Sequence, residues 1–177
     1  MSTPRVPNQR AIINRRVLSD RIASLAQGDK ASAGPVILKE LRSALETGRT
    51  ELTRRLTEKP SAGYECVHGH SFLIDQLVRV IHDYITEYVH PAPNRTAAER
   101  LAILAVGGYG RAEMAPHSDV DIAFITPMKR APWCEQVIEA MLYLLWDLGL
   151  QVGHSSRTIA DSMKICLLYT SPSPRDS

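Results

Sequence analysis

The stretch "LAVGGYGRAEMAPHSDVDIAFI", Leu104–Ile125, places three glycines within four positions and then two aspartates separated by a single residue. Apolar runs flank it: "LAILAV" at 101–106 and "VDIAFI" at 120–125 predict two buried strands. The first strand ends at Val106, so Gly107 and Gly108 fall at the mouth of the turn, where a backbone without Cβ lets a phosphate approach its N–H groups. Arg111 follows, and its planar fork suits phosphate oxygens or the carboxylate of Glu113 equally well. Side chains alternate across a strand, so Asp119 and Asp121, with Val120 between them, project from the same face. Two carboxylates that close repel unless a cation joins them, and Mg²⁺ favours one or two carboxylates completed by substrate phosphates and water.

Other glycine-loop chemistries fit poorly. A Walker loop needs Gly-Lys-Ser/Thr, which is absent, and a dinucleotide fingerprint needs a third glycine where Glu113 stands.

Outward from the glycine turn, helical spacing dominates. From Pro35, residues Val36, Leu38, Leu41, Leu45, Leu52 and Leu56 recur at three or four, and Pro60 stops the pattern. A second helix is expected from about Ser71 to Val89, ending before "HPAPN", and the two pack as a hairpin over 35–95. Residues 1–34 read as a flexible N-terminal segment, with one short helix at Val17–Leu25 and a linker at "QGDKASAGP". Downstream, Pro132 opens a helix that Gly149 closes, "LQVGHSSRTI" reads as a third strand, and "ADSMKI" starts another helix. The strand-bearing core, expected to be incomplete, therefore spans 96–165. Residues 166–177, "CLLYTSPSPRDS", resemble the translation of a transposon-type sequencing adapter, which implies that the native chain continues past Ile165.

Composition narrows the class. The 177 residues suffice for one ordinary domain, and 44% apolar with 23% charged residues is a globular balance. Twenty-one basic against 19 acidic residues leave a net charge of +2, which offers nucleic acid no electrostatic footprint. Cysteines at 66, 134 and 166 have no paired spacing, so a reducing cytoplasm is expected. The polar, basic N-terminus and the absence of any apolar run near eighteen residues argue against export or a membrane span.

The order strand, Gly-Gly, short helix, Ser-Asp-x-Asp, strand resembles the polymerase β-like nucleotidyltransferase superfamily. Within it, "GGYGRAEMAPHSDVDIAFI" and "LLWDLGLQVGHSSRTI" are similar to the N-terminal catalytic domain of the bifunctional PII uridylyltransferase/uridylyl-removing family. The resemblance covers roughly 70–165 and is specific over 104–159. It implies an α+β fold, a small mixed sheet with flanking helices preceded by a helical hairpin. It also implies transfer of UMP from UTP to a tyrosine of the signalling protein PII, with pyrophosphate released. Asp119 and Asp121 would then be the catalytic metal ligands, with Ser118 and the Gly107 and Gly108 amides on the phosphates. The superfamily's usual third carboxylate has no counterpart in the third strand, and Asp161 lies beyond it on a helix. The HD and ACT domains of that family find no room in this length. A relative that transfers AMP or uses another acceptor, and a nucleotide-binding module without catalysis, are the alternatives.

Several residues invite sharper readings than they support. Cys66, His68 and His70 in "ECVHGH" have metal-ligand chemistry but no fourth ligand, and are expected in a loop leading into the second helix. His117 and His154 are expected to pack behind the site, and Trp133 and Trp146 to serve as core or interface aromatics.

Overall fold

The computed structural model describes residues 6–28, 30–92, 94 and 96–170. Seven α-helices and three strands are formed among them: α1 (Gln9–Ile12), α2 (Arg15–Ala26), α3 (Lys30–Glu58), α4 (Gly63–Tyr84), β1 (Ala102–Ala105), α5 (Gly107–Gly110), β2 (Val120–Thr126), α6 (Pro132–Asp147), β3 (Val152–Thr158) and α7 (Ile159–Thr170). This is the expected α+β architecture.

The long helix begins at Lys30, ahead of Pro35, so the stretch read as a linker is helical from its fourth residue. Pro35 lies in the second turn, where its missing N–H removes a single intrahelical bond, and Ile37 just beyond it is fully buried. At the other end α3 stops before Pro60, as its sequence requires. The N-terminal 34 residues carry α1 and α2, and α2 packs on both α3 and α4, making the expected hairpin a three-helix assembly. Buried Leu18 and Ile22 of α2 share one continuous core with Ile37, Leu41 and Leu45 of α3.

The second helix starts at Gly63, eight residues before Ser71, which puts the "ECVHGH" segment inside a helix instead of a loop. Its glycine, the sign of a loop in one dimension, marks close helix packing: a Cβ on Gly69 would stand 2.3 Å from a Leu52 methyl. Gly48 of α3 answers it, since a Cβ there would lie 2.6 Å from Leu73 and 3.0 Å from the Ile12 carbonyl. α4 ends in a π-helical turn over Ile85–Val89, where the His90 N–H donates to the Ile85 carbonyl at 2.7 Å.

β2 lies between β1, antiparallel to it, and β3, parallel to it, with α6 forming the crossover. Val120, Ile122 and Phe124 of β2 are wholly buried in the core, beside Val137, Met141 and Leu145 of α6. The opposite face carries Leu104 of β1, Asp121, Ala123 and Ile125 of β2, and Gly153 and Ser155 of β3, which the strand register aligns. That face is uncovered among the described residues, so β1, expected as buried, is an outer strand with Leu104 49% exposed. Helices thus cover one side of the sheet, and the aspartate pair belongs to the other.

α6 opens on Pro132 and closes at Gly149, whose φ of +76° is the left-handed cap that glycine favours. Arg42 of α3 donates to the Asp147 carbonyl at 2.6 Å and ties the helical assembly to this C-terminus. Trp133 packs against the core and donates to the His90 carbonyl, whereas Trp146 is exposed beside Tyr143 and His154. α7 continues to Thr170; positions 171–177 of the adapter-like tail lie outside the described residues.

Candidate active site

The glycine turn begins where β1 lets go. Val106 still donates its N–H to the Asp121 carbonyl at 3.0 Å, and Gly107 then turns left-handed at φ +58°. That φ favours glycine, and space demands it as well: a Cβ on Gly107 would sit 2.7 Å from Asp121 Oδ2. On the far side of the same carboxylate, a Cβ on Gly153 would meet Asp121 Oδ1 at 2.4 Å. Asp121 therefore stands in a slot walled by two glycine backbones, one from the turn and one from β3.

Gly107–Gly110 form the single short helical turn α5, with Gly110 held so near the Ala105 carbonyl that a Cβ would approach it to 2.7 Å. Gly108 is under no comparable steric demand. Tyr109 is the anchor of the turn: its ring is buried in the core, and burial, assisted by the nearby Asp75 charge, pushes the phenol well above its ordinary pKa. Arg111, at the end of the turn, is exposed and pairs with Glu113 at 3.3 Å, the carboxylate alternative.

The connection from there to β2 is pinned at Met114. Its side chain is buried and its N–H donates to Ser71 Oγ at 3.1 Å, while the Ser71 hydroxyl donates to the Val67 carbonyl. Ala112 and His117, at φ 59° and 64°, hold left-handed conformations unusual for residues with a Cβ. Ser118 and Asp119 follow, both exposed, immediately before β2. Because Val120 is fully buried, alternation sends its neighbours Asp119 and Asp121 toward the open face together.

Neither aspartate forms an ion pair with a described residue. Two unneutralised carboxylates, one of them lodged between backbones that leave room for no side chain, form a hard oxygen donor set suited to Mg²⁺. No group of three His, Cys, Asp or Glu residues placed to share a metal occurs among the described residues. Asp161 is accounted for otherwise: its carboxylate accepts from the Thr158 hydroxyl at 2.8 Å and its N–H donates to Thr158 Oγ1, a cap on α7. That hydrogen bond, first among its causes, also lowers the Asp161 pKa.

His117 and His154, expected to pack behind the site, are both exposed, His154 beside Trp146. Within α4, His68 and His70 are buried and Cys66 is a free thiol, as is Cys134 of α6. Three contributors escaped the residue pattern: Gly153, Tyr109 and Ser71. Only Gly153 carried a signal, since a glycine inside a strand marks a bulge or a close approach.

Residues 47–164 match the family described as "Putative nucleotidyltransferase DUF294". A bifunctional uridylyltransferase/uridylyl-removing enzyme of Novosphingobium aromaticivorans is 59% identical over 164 residues, covering 92% of this chain and 18% of that protein. Proteins of the same name from Erythrobacter litoralis and Rhodospirillum rubrum are 58% and 43% identical, over 93% of this chain and again 18% of their own lengths. The chain thus spans about 18% of these curated relatives. No solved structure matches it. The glycine turn, the paired aspartates on the open sheet face and the match over two thirds of the sequence agree: this chain belongs to the DUF294 nucleotidyltransferase family.

Proposed function

We propose that this chain is the nucleotidyl-transferring part of a cytoplasmic enzyme that moves UMP from UTP to a tyrosine of the PII signalling protein, releasing pyrophosphate. The observation that carries the reading is the slot in which Gly107 and Gly153 hold the Asp121 carboxylate beside Asp119. The names of the relatives, each a uridylyltransferase, support the choice of nucleotide. No described helix is long and apolar enough to cross a membrane.

In this mechanism Asp119 and Asp121 would hold Mg²⁺. When bound, it would supply positive charge to offset the phosphates and lower the pKa of the attacking hydroxyl. The tyrosine oxygen forms its bond to the α-phosphorus as the bond to the bridging oxygen of pyrophosphate breaks in line. Ser118 and the backbone N–H groups of Gly107 and Gly108 orient the phosphates, and Arg111, freed from Glu113, is a further contact for them.

The test is mass spectrometry of PII incubated with the longest form of the protein its gene encodes, Mg²⁺ and each nucleoside triphosphate in turn. UTP is expected to add one UMP per modified tyrosine. Asp119→Asn and Asp121→Asn should each lower turnover by about a hundredfold or more, the scale of losing a charged group from a transition state. Wild-type turnover by Asp119→Asn would remove the catalytic assignment, and modification by ATP alone would replace uridylyl with adenylyl transfer.

A further inference from the structure

A cleft of about 570 Å³ lies between the C-terminal half of α3, His70 of α4 and the Pro116–His117 turn that leads into Ser118 and Asp119. Some of its lining is already committed. Arg54 is paired with Glu51 and Glu58, and the Thr57 hydroxyl donates to the Thr53 carbonyl. Arg49, in contrast, forms no ion pair among the described residues, although it lines the cleft one helical turn before Thr53. His70 is 7% exposed, reaches the same cleft and has no hydrogen-bond partner among the described residues.

The acid of the cleft, Glu58, is already paired with Arg54, so the charges that act on His70 are the cationic ones. Burial first, then the positive charges of Arg49 and His117, push the His70 pKa down to about 4. An imidazole treated this way is short of a counter-charge. An entering anion would supply one, along with acceptors for the unused ring N–H and guanidinium donors. The donors arrive from three separate elements, which suits a tetrahedral oxyanion better than a flat carboxylate.

We propose that this cleft is a phosphate-binding site distinct from the Asp119–Asp121 pair, with Arg49 supplying the charge and His70 and His117 supplying N–H donors. Its occupant is a phosphate group, either free inorganic phosphate or a phosphate of a nucleoside triphosphate. The site goes beyond the transfer reaction, and its existence does not depend on which nucleotide is transferred.

The experiment is an NMR titration of the protein with labelled histidine side chains at neutral pH and constant ionic strength. Inorganic phosphate, Mg²⁺-free UTP and chloride are added in separate arms, and His70→Asn assigns the resonance. Phosphate or UTP is expected to shift the His70 signals saturably while chloride does not. Arg49→Gln should weaken that binding by about ten-fold, the worth of one charge-assisted hydrogen bond, and Arg49→Lys should retain most of it. Tighter binding of UTP assigns the site to the triphosphate, and equal or tighter binding of inorganic phosphate assigns it to the free ion. Unmoved His70 signals, or an equal response in Arg49→Gln protein whose circular dichroism is native, would overturn the site. Since the readout is binding, its failure is distinguishable from failure of UMP transfer.

Discussion

At the scale of single residues the site turns on space around one carboxylate. Gly153 of β3 leaves room for Asp121 Oδ1, and an alanine Cβ would come within 2.4 Å of it. The carboxylate is the end of a side chain and can swing away, so Gly153→Ala is expected to fold. The displaced oxygen should then cost about a hundredfold in turnover, the effect of misplacing a reacting group by an ångström or so. Thermal unfolding and transfer rates measured together check this: a variant with native stability and native rate would show that the slot is not needed. Asp161 illustrates the opposite outcome, an acid near a site that is fully occupied as a helix cap.

At the scale of elements, two contacts hold the helices and the active-site connection in place. An alanine at Gly48 would press on both methyls of buried Leu73 and on the Ile12 carbonyl. Overpacking costs about 1–3 kcal/mol, which exceeds the gain of about 1 kcal/mol from replacing a helical glycine. Gly48→Ala should therefore lower the urea midpoint, and a smaller residue at Leu73 should recover part of the loss in a double-mutant cycle. Ser71 performs the other task, receiving the buried Met114 N–H. Ser71→Ala leaves that donor unsatisfied, at about 1–3 kcal/mol, and frees the connection that carries Ser118 and Asp119. Both stability and turnover should fall, whereas Gly48→Ala should act on stability alone.

At the scale of the whole molecule, stability is linked to pH through His70. Its folded pKa, about 4, lies below the ordinary 6.5, so the unfolded chain binds the proton more readily between these values. The stabilisation is complete above pH 6.5 and is lost as pH falls toward 4. The limiting slope for one proton is about 1.4 kcal/mol per pH unit. Arg49 and His117 are the charges that face it, and both oppose protonation. His70→Gln should flatten the denaturation midpoint against pH in this window; an unchanged slope would place the linkage elsewhere. At more acid pH, Glu51 takes over, since its hydrogen bonds from Arg54 and Arg55 hold its carboxyl at about 2. That contribution, present above the ordinary 4.5, is lost as pH falls from there.

Local rules determined much of this protein from sequence alone. The order strand, glycine turn, Asp-x-Asp, strand, helix, strand was legible because alternation, helical period, proline stops and the Gly149 cap act within a few residues of chain. The expectation that Asp119 and Asp121 share one face rests on the same alternation. Where the second helix starts was not legible, because Gly69 reads as a loop breaker until Leu52 of another helix is seen lying against it. Nor was the exposure of Leu104, which depends on what covers the sheet and not on how apolar the strand is. The slot around Asp121 is likewise tertiary: Gly107 and Gly153 lie far apart in the chain, and only strand pairing and the turn of α5 bring both backbones to one carboxylate. Short-range sterics choose the elements, while the contacts that make a site arise between residues whose sequence separation carries no local signal.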